Sequence, residues 1–310
     1  MDDLEVETGR LLNASLATST LATYSRGLRD FDGFRAELGI ERIWPAPTSH
    51  IVNYIAKLSL EGKAPSTIET HVASLAYVHK INGWDNPTDN FIIRKLKEGS
   101  RRLNKRSDCR RPITRDILHQ LIASLPNICM SAYEVALFRA AFSLAFFGFL
   151  RIGEFTAMSK KGDTDRVLSL GDVSLCKGGL EVNIRSSKTD QRGRGSIVRI
   201  EGLGESALCP VSAVTSYVKV RTSEMGPFFL HFGGSPLTRY QFNSMLSKGI
   251  NLLGLPPGEF SSHSFRIGAA TVAAGEGIPV ERIMVMGRWR SSAVKTYVRP
   301  SMVIVPGGQM

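Results

Sequence analysis

The run AAFSLAFFGFL, residues 140–150, restricts the fold of this chain more than any other segment. It contains no charged or amide side chain, and Arg139 and Arg151 close it on either side. It is too short to cross a bilayer, which takes about 20 apolar residues. A helix that is apolar on every face must instead be enclosed by other elements of a folded core. The chain has 310 residues, 43% of them hydrophobic, which is enough for two ordinary cores.

Helix signals divide the chain before that run is reached. From Ser19, apolar residues at Leu21, Tyr24, Leu28, Phe31, Phe34 and Leu38 fall in steps of three and four up to Gly39. A second helix follows Pro47, with Ile51, Ile55 and Leu58 on one face. Ser66-Thr67-Ile68-Glu69 reads as a capping box opening a third, and a fourth after Pro87 carries Phe91, Ile92 and Leu96. Residues 15–99 are thus expected to form an all-helical domain behind an N-terminal tail, 1–14, whose MDDLEVETGRLL lacks the order of a signal peptide. Residues 100–111 read as a basic linker, in which Arg101, Arg102, Lys105, Arg106, Arg110 and Arg111 are candidates to lie along phosphates. A charge run of this kind also suits a solvated tether or a nuclear import signal.

In the remaining domain, 112–310, helices expected at 114–125 and 133–158 give way to a strand-rich insert. Leu180, Val182 and Ile184 alternate there, as do Ile197 and Ile200, with Lys188 in the Gly-rich turn between. Helices resume after Pro210 and continue through 241–253, 263–274, 280–286 and 292–297. The expected class is mainly α with a small antiparallel β-sheet.

Lys and Arg number 39 against 28 Asp and Glu, a net charge of +11 that favours a polyanionic partner, nucleic acid before an acidic membrane surface. Cys109, Cys129, Cys176 and Cys209 have no paired spacing and no histidine cluster nearby, so they read as reduced intracellular thiols with no metal site.

Three clusters carry chemistry. Arg151 stands at the edge of the apolar run, where a charge needs an anion, and Glu154 is its obvious local partner. In HSFRIGAA, His263 and Arg266 are three apart on one helical face, where a proton shuttle and a phosphate fork can meet one oxygen. In MGRWRSSAVKTYV, Trp289 precedes Tyr297, a phenol that attacks nothing unless a base or a positive field assists it. Each has an ordinary reading taken alone: an ion pair, a capped helix, a packing tyrosine.

Their order, with Lys188 between the first and second, resembles the tyrosine recombinase and phage integrase family. The residues that carry the likeness are Leu150-Arg151-Ile152-Gly153-Glu154, Ser187-Lys188-Thr189, His263-Ser264-Phe265-Arg266, and Gly287-Arg288-Trp289 followed by Tyr297. ATSTLATYSRGLRDF and PSTIETHVASLAYVHKINGWDNP look like core-binding helices of that family, so the likeness covers roughly residues 15–299. It implies a tyrosine recombinase catalytic fold preceded by a SAM-like core-binding domain. It also implies a site in which Arg151 and Arg266 clamp the scissile phosphate and Trp289 donates its indole N–H. His263 would assist proton movement, Lys188 would protonate the leaving 5′-oxygen, and Tyr297 would attack, with Glu154 orienting Arg151 or His263 from behind. Double-stranded DNA is the implied partner, with a dimer on one site and a tetramer on two, and neither metal nor cofactor is implied. Trp289 stands where many bacterial relatives have His, a form resembling Crypton-like and DIRS-like transposon enzymes. SMVIVPGGQM is short and Gly/Pro-rich where many relatives extend a helix into a neighbouring subunit. The nucleus, or a bacterial cytoplasm, is the implied location. A binding-only descendant of a recombinase and a type IB topoisomerase are the rival readings.

Overall fold

The computed structural model describes residues 2–104, 108–186 and 195–303, and the chain divides into two units, 1–108 and 109–310. The first holds helices α1 (Asp2–Ala14), α2 (Thr18–Glu37), α3 (Thr48–Leu60), α4 (Pro65–Ile81) and α5 (Phe91–Leu103). Phe31 and Phe34 of α2 meet Ile51, Tyr54 and Leu58 of α3 and Ile68, Val72 and Leu75 of α4 in one core.

Four local expectations are corrected here. Residues 2–14 form a helix rather than a tail, with Leu4, Val6 and Leu11 exposed on it. The capping box at Ser66 does not form, because Pro65 already occupies the first helical position behind Ala64, leaving Ser66 inside the helix. Glu69 is therefore free to accept from Arg101 Nε at 2.5 Å. On α5, Asn90 caps the Ile92 amide and sets a phase in which Ile93 is buried while Phe91 and Ile92 are 64% and 46% exposed. That helix runs on to Leu103, so Arg101 and Arg102 belong to its last turn and not to a linker.

The second unit contains α6 (Arg115–Ile128), α7 (Ala132–Phe147), α8 (Ile152–Phe155), β1 (Val173–Cys176), β2 (Gly179–Ile184) and β3 (Ser196–Glu201). It ends with α9 (Pro210–Val220), α10 (Arg239–Leu252), α11 (Ser262–Gly275) and α12 (Val280–Gly287). The sheet is antiparallel in the order β1-β2-β3, with Val182 opposite Val198 and Ile184 opposite Ser196. Leu180, Val182 and Ile184 are buried, the period-2 face seen in the sequence. The apolar run does become the enclosed helix: on α7, Phe142 lies 5.2 Å from both Phe242 of α10 and Phe265 of α11, ring centroid to centroid. Among the described residues no helix is long and apolar enough to cross a membrane.

α7 stops at Phe147 rather than continuing to residue 158. Gly148 caps it, Phe149 takes a left-handed backbone with φ +49°, and Arg151 becomes the N-cap of the single turn α8. The end is hidden in the sequence because the residues of the turn, Gly148 to Leu150, are as apolar as the helix before them. The segment expected as a helix at 292–297 is a tighter 3-10 turn, Ser292–Thr296, with Tyr297 at its C-cap.

Two glycine substitutions test the packing with opposite signs. A Cβ on Gly268 of α11 would stand 1.8 Å from the carbonyl oxygen of Ile113, so Gly268→Ala should cost at least about 1–3 kcal/mol in urea denaturation. Gly33 lies exposed in α2 with nothing within 4 Å of such a Cβ, and Gly33→Ala should stabilise by roughly 0.5–1 kcal/mol.

Candidate active site

The site is built from three places: the Phe149 turn with α8, the first turns of α11, and the chain leaving α12. Glu154, one of the most deeply buried acids, is the junction. Its Oε2 accepts from the backbone N–H of Arg151 at 2.8 Å and from Nη2 of Arg288 at 2.7 Å, while Oε1 accepts from Nη1 of Arg151 at 3.1 Å. The Arg151 side chain is 20% exposed, so it is reachable from solvent while paired with Glu154.

Ser261 caps α11 by accepting from the His263 amide, and that start fixes His263 and Arg266 one turn apart. Arg266 is fully buried. Its Nη1 and Nη2 donate to the carbonyls of Phe149 and Gly287, tying α11 to both neighbouring segments. Its guanidinium carbon lies 4.1 Å from the Trp289 ring centroid and 5.6 Å from that of Tyr297, a cation–π stack.

α12 ends in a left-handed Arg288, φ +57°, which turns the chain so that Trp289 packs back over Gly287. A Cβ on Gly287 would stand 1.6 Å from the Trp289 ring, so the indole needs glycine there. Tyr297 lies against both rings, 4.8 Å from Trp289 and 4.9 Å from His263 between centroids. Its backbone is latched to α11: Thr271 Oγ1 donates to the Tyr297 carbonyl at 3.1 Å and accepts from the Arg299 amide at 3.0 Å.

Arg151, Glu154, His263, Arg266, Trp289 and Tyr297 therefore meet in one place. Lys188 lies outside the described residues. The strand leading to it is anchored where Arg185 Nε donates to buried Asp172 at 2.8 Å. Of the basic run, Lys105 and Arg106 also lie outside the described residues. Arg101 and Arg111 are engaged by carboxylates of their own units, Glu69 and Glu259, which leaves less of their charge for a phosphate. Sequence reasoning missed Arg288. It stands in the quoted GRW motif, but nothing in the spacing says that its side chain turns inward.

The cluster carries three guanidinium groups and one buried carboxylate. Burial, then the charges of Arg151 and Arg288, push Arg266 down from the ordinary arginine range to about 9, so it remains a cation at neutral pH. Burial also lowers Arg288, with Glu154 opposing. Three donors of the cluster, Nε of Arg266, Nε of Arg288 and Nε1 of Trp289, are buried with no hydrogen-bond partner among the described residues. Unmet donors and excess positive charge in one place are what an anion with several oxygens would satisfy. Among the described residues no group of three or more His, Cys, Asp or Glu could hold a metal ion.

Guanidinium forks beside a phenol and an imidazole, set in a helical unit with a small sheet, are an arrangement that can hold an anion next to a hydroxyl able to attack it. Comparisons with known proteins narrow that class. Residues 11–86 match the phage integrase N-terminal SAM-like domain. The chain is 27% identical over 305 residues to an integrase/recombinase XerD homolog of Selenomonas ruminantium, covering 93% of this chain and 83% of that protein. The fold is shared with XerH site-specific recombinase bound to a palindromic difH substrate, with TM-score 0.66 at 14% identity, over 91% of this chain and 76% of that one. It is also shared with a λ integrase dimer bound to a core site, with TM-score 0.63 at 14% identity, over 99% and 77% of the two chains. The likenesses are thus to a phage integrase N-terminal domain over residues 11–86, to an integrase/recombinase homolog over most of the chain, and in fold to site-specific recombinases.

If the cluster is an anion site, inorganic phosphate should raise the melting temperature more than chloride at matched ionic strength. Arg151→Ala should remove the difference. A bound anion keeps Arg266 charged, whereas the empty site lets its proton go near pH 9. The stabilisation should thus hold between the second ionisation of phosphate and that pH, and shrink as pH rises through it.

Proposed function

We propose that this protein is a site-specific DNA recombinase that cuts and rejoins strands through a covalent 3′-phosphotyrosyl link, in the integration or excision of a mobile element. The observation that carries the reading is the meeting of Arg266, Trp289 and Tyr297, a buried fork and an unmet indole N–H beside a phenol. The Tyr297 oxygen attacks phosphorus, and negative charge grows on the non-bridging oxygens. Arg151 and Arg266 compensate that charge with planar forks, and Trp289 adds its N–H. His263, whose ring lies tilted against the tyrosine, takes up the phenolic proton, and Lys188 gives one to the departing 5′-oxygen.

The P–O bond broken in cleavage is replaced by one to tyrosine. A 5′-hydroxyl from another strand can then reverse the step, so neither a nucleotide nor a metal is needed to reseal it. A dimer on one site and a tetramer on two would allow strands to be exchanged. The reaction places the protein with DNA, in the nucleus of a eukaryote or the cytoplasm of a bacterium.

The test uses a nicked suicide duplex built on a sequence enriched from a random pool by binding to the full chain. A denaturation-resistant protein–DNA adduct should form in EDTA and vanish in Tyr297→Phe. Arg151→Ala should slow it by about 100-fold or more. A well-bound duplex that yields no adduct would leave a binding-only protein. Relaxation of plasmids by a monomer without site preference would instead identify a topoisomerase.

A further inference from the structure

Arg288 is the buried cation for which that reading has no use, and its contacts assign it a task. Nη1 donates to the Gly148 carbonyl at 3.2 Å, and Nη2 to the Phe149 carbonyl at 3.3 Å and to Glu154 Oε2 at 2.7 Å. Its side chain is only 11% exposed, and both terminal nitrogens are committed to protein acceptors. The group therefore faces the turn that presents Arg151 rather than a strand of DNA.

We infer that Arg288 is a positioning residue: by holding Glu154 and the Gly148–Phe149 turn, it keeps the Arg151 guanidinium placed and available for the scissile phosphate. The inference rests on the recombinase reading above. Two physical arguments support it. Glu154 lies closer to the Arg288 guanidinium, at 2.7 Å, than to that of Arg151, at 3.1 Å. Without Arg288 the buried carboxylate would have Arg151 as its one charged partner, and that pair would close, drawing the charge of Arg151 away from DNA. The second argument concerns the backbone. Phe149 and Arg288 are the two non-glycine residues with positive φ among the described residues, and the Arg288 fork bonds the carbonyl of the other. Each left-handed residue persists only if its surroundings hold it. A fork with donors on two nitrogens spans a carboxylate and two carbonyls, whereas a lysine ammonium acts from one point.

The experiment compares Arg288→Lys and Arg288→Met in the full chain on the nicked duplex described above, alone and combined with Glu154→Gln. At saturating DNA, Arg288→Met should slow adduct formation on the order of 100-fold, the loss expected when a reacting group is displaced by about an ångström. The half-saturating DNA concentration should not change, and Arg288→Lys should recover part of the rate. Combined with Glu154→Gln, Arg288→Met should cost less than the product of the two separate losses. The melting temperatures of the same four-way set should show the same non-additivity. An Arg288→Met protein that cleaves at full rate would overturn the inference, as would losses that multiply. A defect confined to DNA affinity would make Arg288 a DNA contact instead. Additive melting shifts would break the link to Glu154 whatever the activity. A wild-type chain that forms no Tyr297-dependent adduct would remove the recombinase reading, and the catalytic part of this inference with it.

Discussion

Like-charge repulsion among Arg151, Arg266 and Arg288 is the constraint on which the site depends. Two unit charges 4 Å apart repel by about 4 kcal/mol at an effective dielectric of 20, and burial removes the water that would screen them. Glu154 answers two of the three cations directly, and the carbonyls of Gly148, Phe149 and Gly287 supply oxygen dipoles for the rest. Three guanidinium groups against one carboxylate still leave the cluster short of negative charge, and Arg266 is lowered by its burial first and by the two neighbouring cations second. Under the proposed recombinase reading, a scissile phosphate would supply the missing charge and oxygens, and a site organised in this way would need little rearrangement to stabilise a more negative transition state.

The surrounding fold holds those cations against their repulsion. α11 is central because one helix carries His263 and Arg266 on one turn and Thr271 further along, so the imidazole, the fork and the tyrosine latch move as one body. The helix is itself seated on rigid neighbours: Phe265 packs against Phe142, and Gly268 lets the backbone at Ile113 approach as no other residue would. The apolar run that closes α7 thus does more than fill the interior. Its end is the turn whose Phe149 carbonyl receives bonds from both Arg266 and Arg288.

Much of this was readable before the structure. The i, i+3 placement of His263 and Arg266, the inward face of β2 and the buried character of residues 140–147 follow from helix and strand periodicity alone. What escaped has physical causes. Gly148 is the one stop signal in AAFSLAFFGFL and is masked by the apolar residues around it, and the turn at Gly148 to Leu150 is held by arginines from over a hundred residues downstream. Ser66 satisfies the pattern of a capping box, yet Pro65 takes precedence because its fixed φ starts the helix one residue earlier. Ile93 rather than Ile92 is buried because the Asn90 cap sets the phase of α5, and three adjacent apolar residues do not reveal which one faces inward. The pairing of Glu154 with Arg151 was legible as a local contact, whereas its second partner depends on tertiary folding.

The GRW motif shows how one backbone conformation can divide labour between adjacent side chains. In an ordinary helical turn, Arg288 and Trp289 would point about 100° apart around one axis, and α12 would carry both away from the site. The left-handed residue ends α12 and sends the two in different directions: the guanidinium goes under the Phe149 turn to Glu154, and the indole goes over Arg266 and against Tyr297. Gly287 is the condition for both. Its missing Cβ leaves room for the indole, and its carbonyl accepts the second fork of Arg266. A substitution at Gly287 would therefore disturb the packing of Trp289 on Tyr297 and the seating of Arg266 together, although the residue has no side chain of its own to contribute.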